Sequence, residues 1–192
     1  MKVKCIRELN NPAIKVGCEY QADRNAFGMY VRYSSGKHVM PEDVLLKYNI
    51  YNMKILIIED DGNKCKDIVK CLQGNYSQVD IDTAASYSKG IKKGYSGKYD
   101  IIIVDNCLPF YDTNPYDLHS AMSELIMEEL YELEGESVGK FIICSQYETE
   151  EEGEKLLRVQ KRCSNVCLGV VRYECICDNW KAELLDFINK VI

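Results

Sequence analysis

Two segments carry residues that could do chemistry. Ile101-Ile102-Ile103-Val104 runs without a polar break into Asp105, with Pro109 four residues on, and Ile55-Leu56-Ile57-Ile58 runs the same way into Glu59-Asp60-Asp61. A strand with one wet face alternates apolar and polar residues, so unbroken apolar runs predict strands buried on both faces, as in a parallel sheet. In open α/β sheets ligands bind beyond the carboxyl ends of the strands. A lone strand-end aspartate is explained by turn capping. Carboxylates delivered by two strands to one sheet edge form a cluster that folding alone does not require, and such a cluster is a candidate site for chemistry on a bound ligand.

The elements that must position these acids follow in order. After the strand Lys54 to Ile58, Gly62-Asn63 turns into a helix with Cys65, Ile68, Val69 and Leu72 on one face, ended by Gly74. Val79 to Thr83 predicts a second strand, Ala84 to Gly94 a short helix and Tyr99 to Val104 the third strand. Asn114-Pro115 supplies an N-cap and a first helical residue. The helix expected there buries Leu118, Met122, Leu125, Ile126 and Leu133 and closes at Glu134-Gly135-Glu136. Lys140 to Cys144 is the fourth strand, with Ser145 at its end. Thr149-Glu150-Glu151-Glu152 is a capping box, and Lys155, Arg158, Lys161 and Arg162 come later in that helix. This charge order suits the helix dipole, so the acidic run is assigned to helix stability rather than to metal. Val166 to Val171 is the fifth strand, and Asp178 caps a final helix built on Trp180, Leu184, Ile188 and Val191. Alternating strands and helices predict an α/β fold with a doubly wound five-stranded parallel sheet over residues 53–192.

Residues 1–50 are of another kind. Val3 to Ile6, Glu19 to Ala22, Gly28 to Tyr33 and Lys37 to Met40 each fit a short strand. Ser34-Ser35-Gly36-Lys37 reads as a hairpin turn, and Pro41-Glu42-Asp43-Val44-Leu45 as a helical turn. These strands predict a small all-β barrel, joined to the second domain through Tyr48 to Asn52. Tyr20, Phe27, Tyr30 and Tyr33 could line a binding face, but so small a core needs them as filling.

Charge separates the two parts. The net charge of the 192 residues is −6. Residues 1–50 hold eight Lys/Arg against five Asp/Glu, and residues 51–192 hold sixteen against twenty-five. An acidic main domain lacks the basic surface that phosphate backbones require, which argues against nucleic acid as its partner. No apolar window is long enough for a signal peptide or membrane span, so the chain is expected to be cytoplasmic. The ten cysteines lie mostly in apolar segments and are expected to be thiols. Cys163-x3-Cys167 and Cys175-x-Cys177 miss the usual zinc spacing. His38 and His119 are solitary, and no Gly-rich phosphate loop or dinucleotide fingerprint is present.

With these residues in place, residues 53–192 resemble the receiver domain of two-component response regulators, the CheY-like fold, whose strand order is 2-1-3-4-5. The acidic pair after the first strand matches Glu59-Asp60, the phosphoacceptor with its proline four residues on matches Asp105 and Pro109, and the hydroxyl ending the fourth strand matches Ser145. Val3-Lys4-Cys5-Ile6, Val16-Gly17-Cys18-Glu19-Tyr20 and Pro41-Glu42-Asp43-Val44-Leu45 resemble the small SH3-like barrels of bacterial and phage proteins. The resemblance implies a phosphorelay protein that is not an enzyme, with Mg²⁺ as cofactor. A carboxylate attacking a phosphoryl group meets charge repulsion that a divalent cation must neutralise. Asp60, Asp105 and the backbone carbonyl of Cys107 would supply metal ligands, with Glu59 acting nearby through water. Ser145 would hydrogen-bond the phosphoryl group.

The fifth strand departs from that pattern. Arg172-Tyr173 stands where the family has lysine followed by proline; arginine keeps the charge on a longer planar fork, and the prolyl peptide is lost. Gly169 stands where many receivers carry a switch aromatic. The interval from Asp105 to Ser145 is longer than the family's, with the added length around Tyr111 to Tyr116 and in the third helix. The expectation is an atypical receiver that accepts a phosphoryl group on Asp105, with Arg172 as the cation. Its partners would be proteins, a histidine kinase or phosphotransfer protein among them, with dimerisation left open. The alternative is an unphosphorylated pseudo-receiver acting as a scaffold or inhibitor, of phage or defence-system origin. A Mg²⁺-dependent phosphoryl-transfer enzyme using Asp105 as nucleophile is the third reading.

Overall fold

The computed structural model describes residues 2–4, 19–25, 28–33, 36–40, 53–76, 79–135, 138–147 and 149–191. The chain divides into two compact units, with the main break between Asn52 and Met53. In the first, β1 (Lys2–Lys4), β2 (Glu19–Asn25), β3 (Gly28–Tyr33) and β4 (Gly36–Met40) form an antiparallel sheet in sequence order. Gly28, paired with Asn25, opens β3 and Gly36, paired with Tyr33, opens β4, so glycines punctuate these strands as expected. Phe27, Ser34-Ser35, the helical turn at Pro41 to Leu45 and the junction at Tyr48 to Asn52 lie outside the described residues, as does any closure of this sheet into a barrel.

The second unit holds a five-stranded parallel sheet: β5 (Met53–Ile58), β6 (Val79–Ala84), β7 (Ile101–Val104), β10 (Lys140–Ser145) and β11 (Cys167–Arg172). Across the sheet they run β6-β5-β7-β10-β11, the 2-1-3-4-5 arrangement when these five are counted alone. β7 is apolar and buried along its whole length, and β5 is so from Ile55 to Ile58, as the unbroken runs require. Helices α1 (Gly62–Asn75), α2 (Tyr87–Ser96), α3 (Met122–Glu134), α4 (Glu150–Arg162) and α5 (Asn179–Asn189) alternate with them. One core cluster joins Leu56, Ile102, Phe141 and Ile143 to Ile126, Leu130 and Leu156. α2 comes close to its neighbours through glycines. A Cβ on Gly90 would lie 2.8 Å from Ile58, and one on Gly94 would lie 2.7 Å from Leu130.

Three expectations are corrected. α2 begins at Tyr87 rather than Ala84, because Ala84 completes β6 opposite Ile58 and Ser86 caps the helix by accepting from the Lys89 amide. The helix expected from Asn114-Pro115 begins instead at Met122. There Asn114 and Pro115 serve a turn, with the Asp117 amide donating to Asn114 O at 3.2 Å, after which the chain pairs back on itself. β8 (Leu108–Pro109) and β9 (Leu118–His119) make this small antiparallel ladder. Leu118, Leu125 and Leu133 are consequently exposed, and α3 buries Met122, Ser123, Ile126, Met127 and Leu130. Val191 is likewise partly exposed, beyond the end of α5.

Candidate functional site

Register brings the acids together. Ile58 pairs with Val104, so the next residue on each strand, Glu59 and Asp105, leaves the sheet at the same level. The Asp105 amide donates to Ile58 O at 2.9 Å, and the Glu59 amide donates to Ala84 O at 2.8 Å, which holds both strand ends in the ladder. Both residues are buried, at 5% exposure for Glu59 and 7% for Asp105. One carboxylate oxygen each from Glu59, Asp60 and Asp105 falls within 4.8 Å of the others.

The loops after these strands aim the carboxylates. Asp61 Oδ1 accepts from the amides of Asn63 and Lys64, capping the start of α1. The Asp61 amide donates in turn to Glu59 Oε1 at 2.9 Å. The Cys107 amide donates to Asp105 Oδ2 at 2.9 Å, so Cys107 belongs to the loop that wraps Asp105. Asn106 anchors that loop to α3, accepting from Ser123 Oγ at 2.7 Å and from the Met122 amide at 3.1 Å. The longer interval between the third and fourth strands thus starts at the site itself. Ser145, buried at the end of β10, lies two residues beyond Ile143, the partner of Val104.

A residue that the sequence reading passed over stands in the middle. Lys64, in the first turn of α1, is buried with its Nζ 2.6 Å from Asp105 Oδ1 and 2.7 Å from Glu59 Oε2. The second contact is an ion pair without hydrogen-bond geometry, leaving Oε2 of Glu59 buried with no hydrogen bond. The signal was present in the spacing, since Lys64 precedes Ile68 by four residues and so lies in the stripe of Ile68, Cys71 and Leu72. A lysine in an apolar stripe is buried only when it is paired.

Arg172 lies elsewhere. Its side chain is about half exposed, with Nε 3.3 Å from Glu174 Oε1 and the guanidinium 5.1 Å from the centre of the Tyr147 ring. Tyr173, by contrast, is buried. Its ring centre is 5.7 Å from Lys64 Nζ, within cation–π range, and 5.0 Å from that of Trp180. At Gly169 a Cβ would collide with the Phe187 ring of α5, so no side chain fits there.

The electrostatics follow from burial. Burial pushes the Glu59 carboxyl well above the usual carboxylate range, an effect that Lys64 opposes and Asp105 adds to. Asp60 is also raised, chiefly by burial. For Lys64, burial alone would favour the neutral amine, but the charges of Asp105 and Glu59 outweigh it and hold the ammonium above the ordinary lysine range. Three carboxylates and one ammonium leave a formal deficit that a single divalent cation would neutralise. The oxygen-only donor set, partly solvated through Asp60, suits Mg²⁺, which keeps several of its waters.

No protein-family model matches the chain. A curated protein, the Detocs response regulatory protein DtcB of Enterobacter cloacae, is 25% identical over 150 residues, covering 72% of this chain and 100% of that protein. Among solved structures, a CheY-like response regulator receiver domain protein from Methanospirillum hungatei JF-1 matches with a TM-score of 0.53 at 16% identity, over 72% of this chain and 93% of that one. The response regulator TrrA of Thermotoga maritima, solved in complex with Mg²⁺-BeF, matches with a TM-score of 0.53 at 22% identity, over 73% and 99%. The fold is that of a CheY-like response-regulator receiver. Among the described residues no helix is long and apolar enough to cross a membrane.

Proposed function

We propose that residues 53–192 form an atypical receiver that binds Mg²⁺ and accepts a phosphoryl group on Asp105, working as a regulatory protein rather than as an enzyme. The observation that carries this reading is the convergence of Glu59, Asp60 and Asp105 from two adjacent strand ends within 4.8 Å. When bound, the metal supplies charge neutralisation between a carboxylate nucleophile and an incoming phosphoryl group. Asp60, Asp105 and the Cys107 carbonyl would hold it, with Glu59 assisting through water. The Cys107 amide fixes one oxygen of Asp105 and leaves the other on the Lys64 side. Ser145 would reach the phosphoryl group from the neighbouring strand end. Output would run through protein contacts, with a kinase or phosphotransfer protein as donor and the N-terminal sheet as a second contact surface. The likeness to a Detocs response regulatory protein supports a regulatory role in a system of that kind.

A second reading, an unphosphorylated scaffold or inhibitor, draws on Arg172, whose guanidinium faces Glu174 and Tyr147. Incubation with Mg²⁺ and acetyl phosphate, followed by intact-mass analysis, separates the two. The receiver reading expects one phosphoryl adduct in the wild type and none in Asp105→Asn. Mg²⁺ binding with no adduct would sink phosphoryl acceptance and leave the scaffold. Sustained phosphate release without accumulation of adduct would favour the phosphoryl-transfer enzyme.

A further inference from the structure

Burying Glu59 and Asp105 side by side creates a problem that this chain solves from within. Two carboxylates in contact with the core, with Asp60 beside them, repel one another and lose their hydration. In an open site the compensation would come from solvent cations. Here Lys64 supplies it, lying within 2.7 Å of an oxygen of each buried acid.

The surroundings show that this position is built. Asp61 caps α1 through the Lys64 amide and that of Asn63, which sets the first turn of the helix against the cluster. Tyr173 covers the ammonium with its ring, braced by Trp180 and by a 2.9 Å hydrogen bond from its phenol to Asp67 Oδ2 one turn along α1. The strand-end cation, Arg172, points to Glu174 and Tyr147 instead. The departures at 172 and 173 and the lysine at 64 therefore form one arrangement, in which the charge enters from α1 and an aromatic takes the space beside it.

We propose that Lys64 is the resident counter-ion of the acidic cluster and competes with the divalent cation for Glu59 and Asp105. The cation reaches full coordination only when the ammonium yields or shares these oxygens, so Lys64 sets the metal concentration at which the site loads. This inference rests on the Mg²⁺ reading above.

The test measures Mg²⁺ affinity, by isothermal titration calorimetry, and thermal stability with and without Mg²⁺, on the full chain. The variants are Lys64→Met, Lys64→Arg and Arg172→Gln. Removing a positive charge a few ångströms from the metal is expected to tighten Mg²⁺ binding by about tenfold or more in Lys64→Met. Without metal that variant should melt below the wild type, because the buried acids lose their partner. Mg²⁺ should raise its melting temperature more than it raises that of the wild type. Lys64→Arg keeps the charge and should not show the tightening, and Arg172→Gln should move neither quantity.

Equal or weaker Mg²⁺ binding by Lys64→Met, with the wild type binding, would overturn the competition while leaving the metal reading intact. Tightening by Arg172→Gln equal to that of Lys64→Met would overturn the assignment to Lys64. Binding by neither the wild type nor Lys64→Met would overturn the metal reading and the competition with it. Should Lys64→Met fail to fold, the wild type still answers. The ¹⁵N-edited signal of the buried ammonium should shift or broaden on Mg²⁺ addition, and an unchanged signal at saturating Mg²⁺ would overturn the proposal.

Discussion

The phenol of Tyr173 donates a 2.9 Å hydrogen bond to Oδ2 of Asp67, tying the residue after β11 to the helix that carries Lys64. The bond joins positions 106 residues apart in the chain and fixes the tyrosine ring beside the ammonium.

That bond makes a stability prediction. Tyr173→Phe keeps the ring and removes the hydroxyl, leaving Asp67 partly solvated, so the loss near neutral pH should be about 1 kcal/mol in urea unfolding. Burial and the carboxylate of Asp67 raise the phenol above its ordinary value of 10.0. The folded state thus holds this proton more tightly than the unfolded state. The contribution is present below pH 10 and fades as pH rises through the folded value. The stability gap between wild type and Tyr173→Phe should accordingly narrow above pH 10, and a gap that widens there would contradict the assignment.

Gly169 should not tolerate a side chain. A Cβ there would meet the Phe187 ring from α5, and overpacking of this kind costs about 1–3 kcal/mol. Gly169→Ala should therefore lower the urea midpoint. In a Phe187→Ala background the same substitution should cost much less, because the space has been cleared. Additive effects of the two substitutions would show that the contact is not the cause.

Thiol reactivity should sort by burial. Cys144, fully enclosed in β10, is pushed up to about 12, and Cys167 to about 11, both chiefly by burial. Since the thiolate is the reactive form, both should resist maleimide in the native protein at pH 8. Cys175 is exposed and should label among the first of the described cysteines. Peptide mapping over a time course reads the order, and early labelling of Cys144 would mean that β10 opens under native conditions.

The fold was legible because its signals are local. Ile101 to Val104 and Ile55 to Ile58 could only be strands wetted on neither face, and Thr149 with Glu152 forms the reciprocal cap that their spacing announced. The start of α3 was not legible. Asn114-Pro115 carries a helix-start signal, but an N-cap residue is also a turn former, and pairing of β8 with β9 decided between the two. Met122 then starts the helix from Asn106, after Ala121 in a left-handed conformation with φ 63°.

The site divides along the same line. Glu59 and Asp105 were placed at one sheet edge by the chain alone, because each directly follows a buried strand whose direction the alternation with helices dictates, and Asp60 comes with Glu59. The sequence also showed that the residues after the fifth strand are unusual. Which cation lies against the acids depends on long-range packing. Lys64 and Arg172 are both positive and both near the acids along the chain or across the sheet, and no local preference ranks them. The choice depends on the rotation of α1 against the sheet, which turns Lys64 inward with Ile68 and Leu72, and on Tyr173 filling the space beside it. The first joins Lys64 to Asp105 across 41 positions and the second joins Tyr173 to Asp67 of α1 across 106, and only the folded chain brings them into contact.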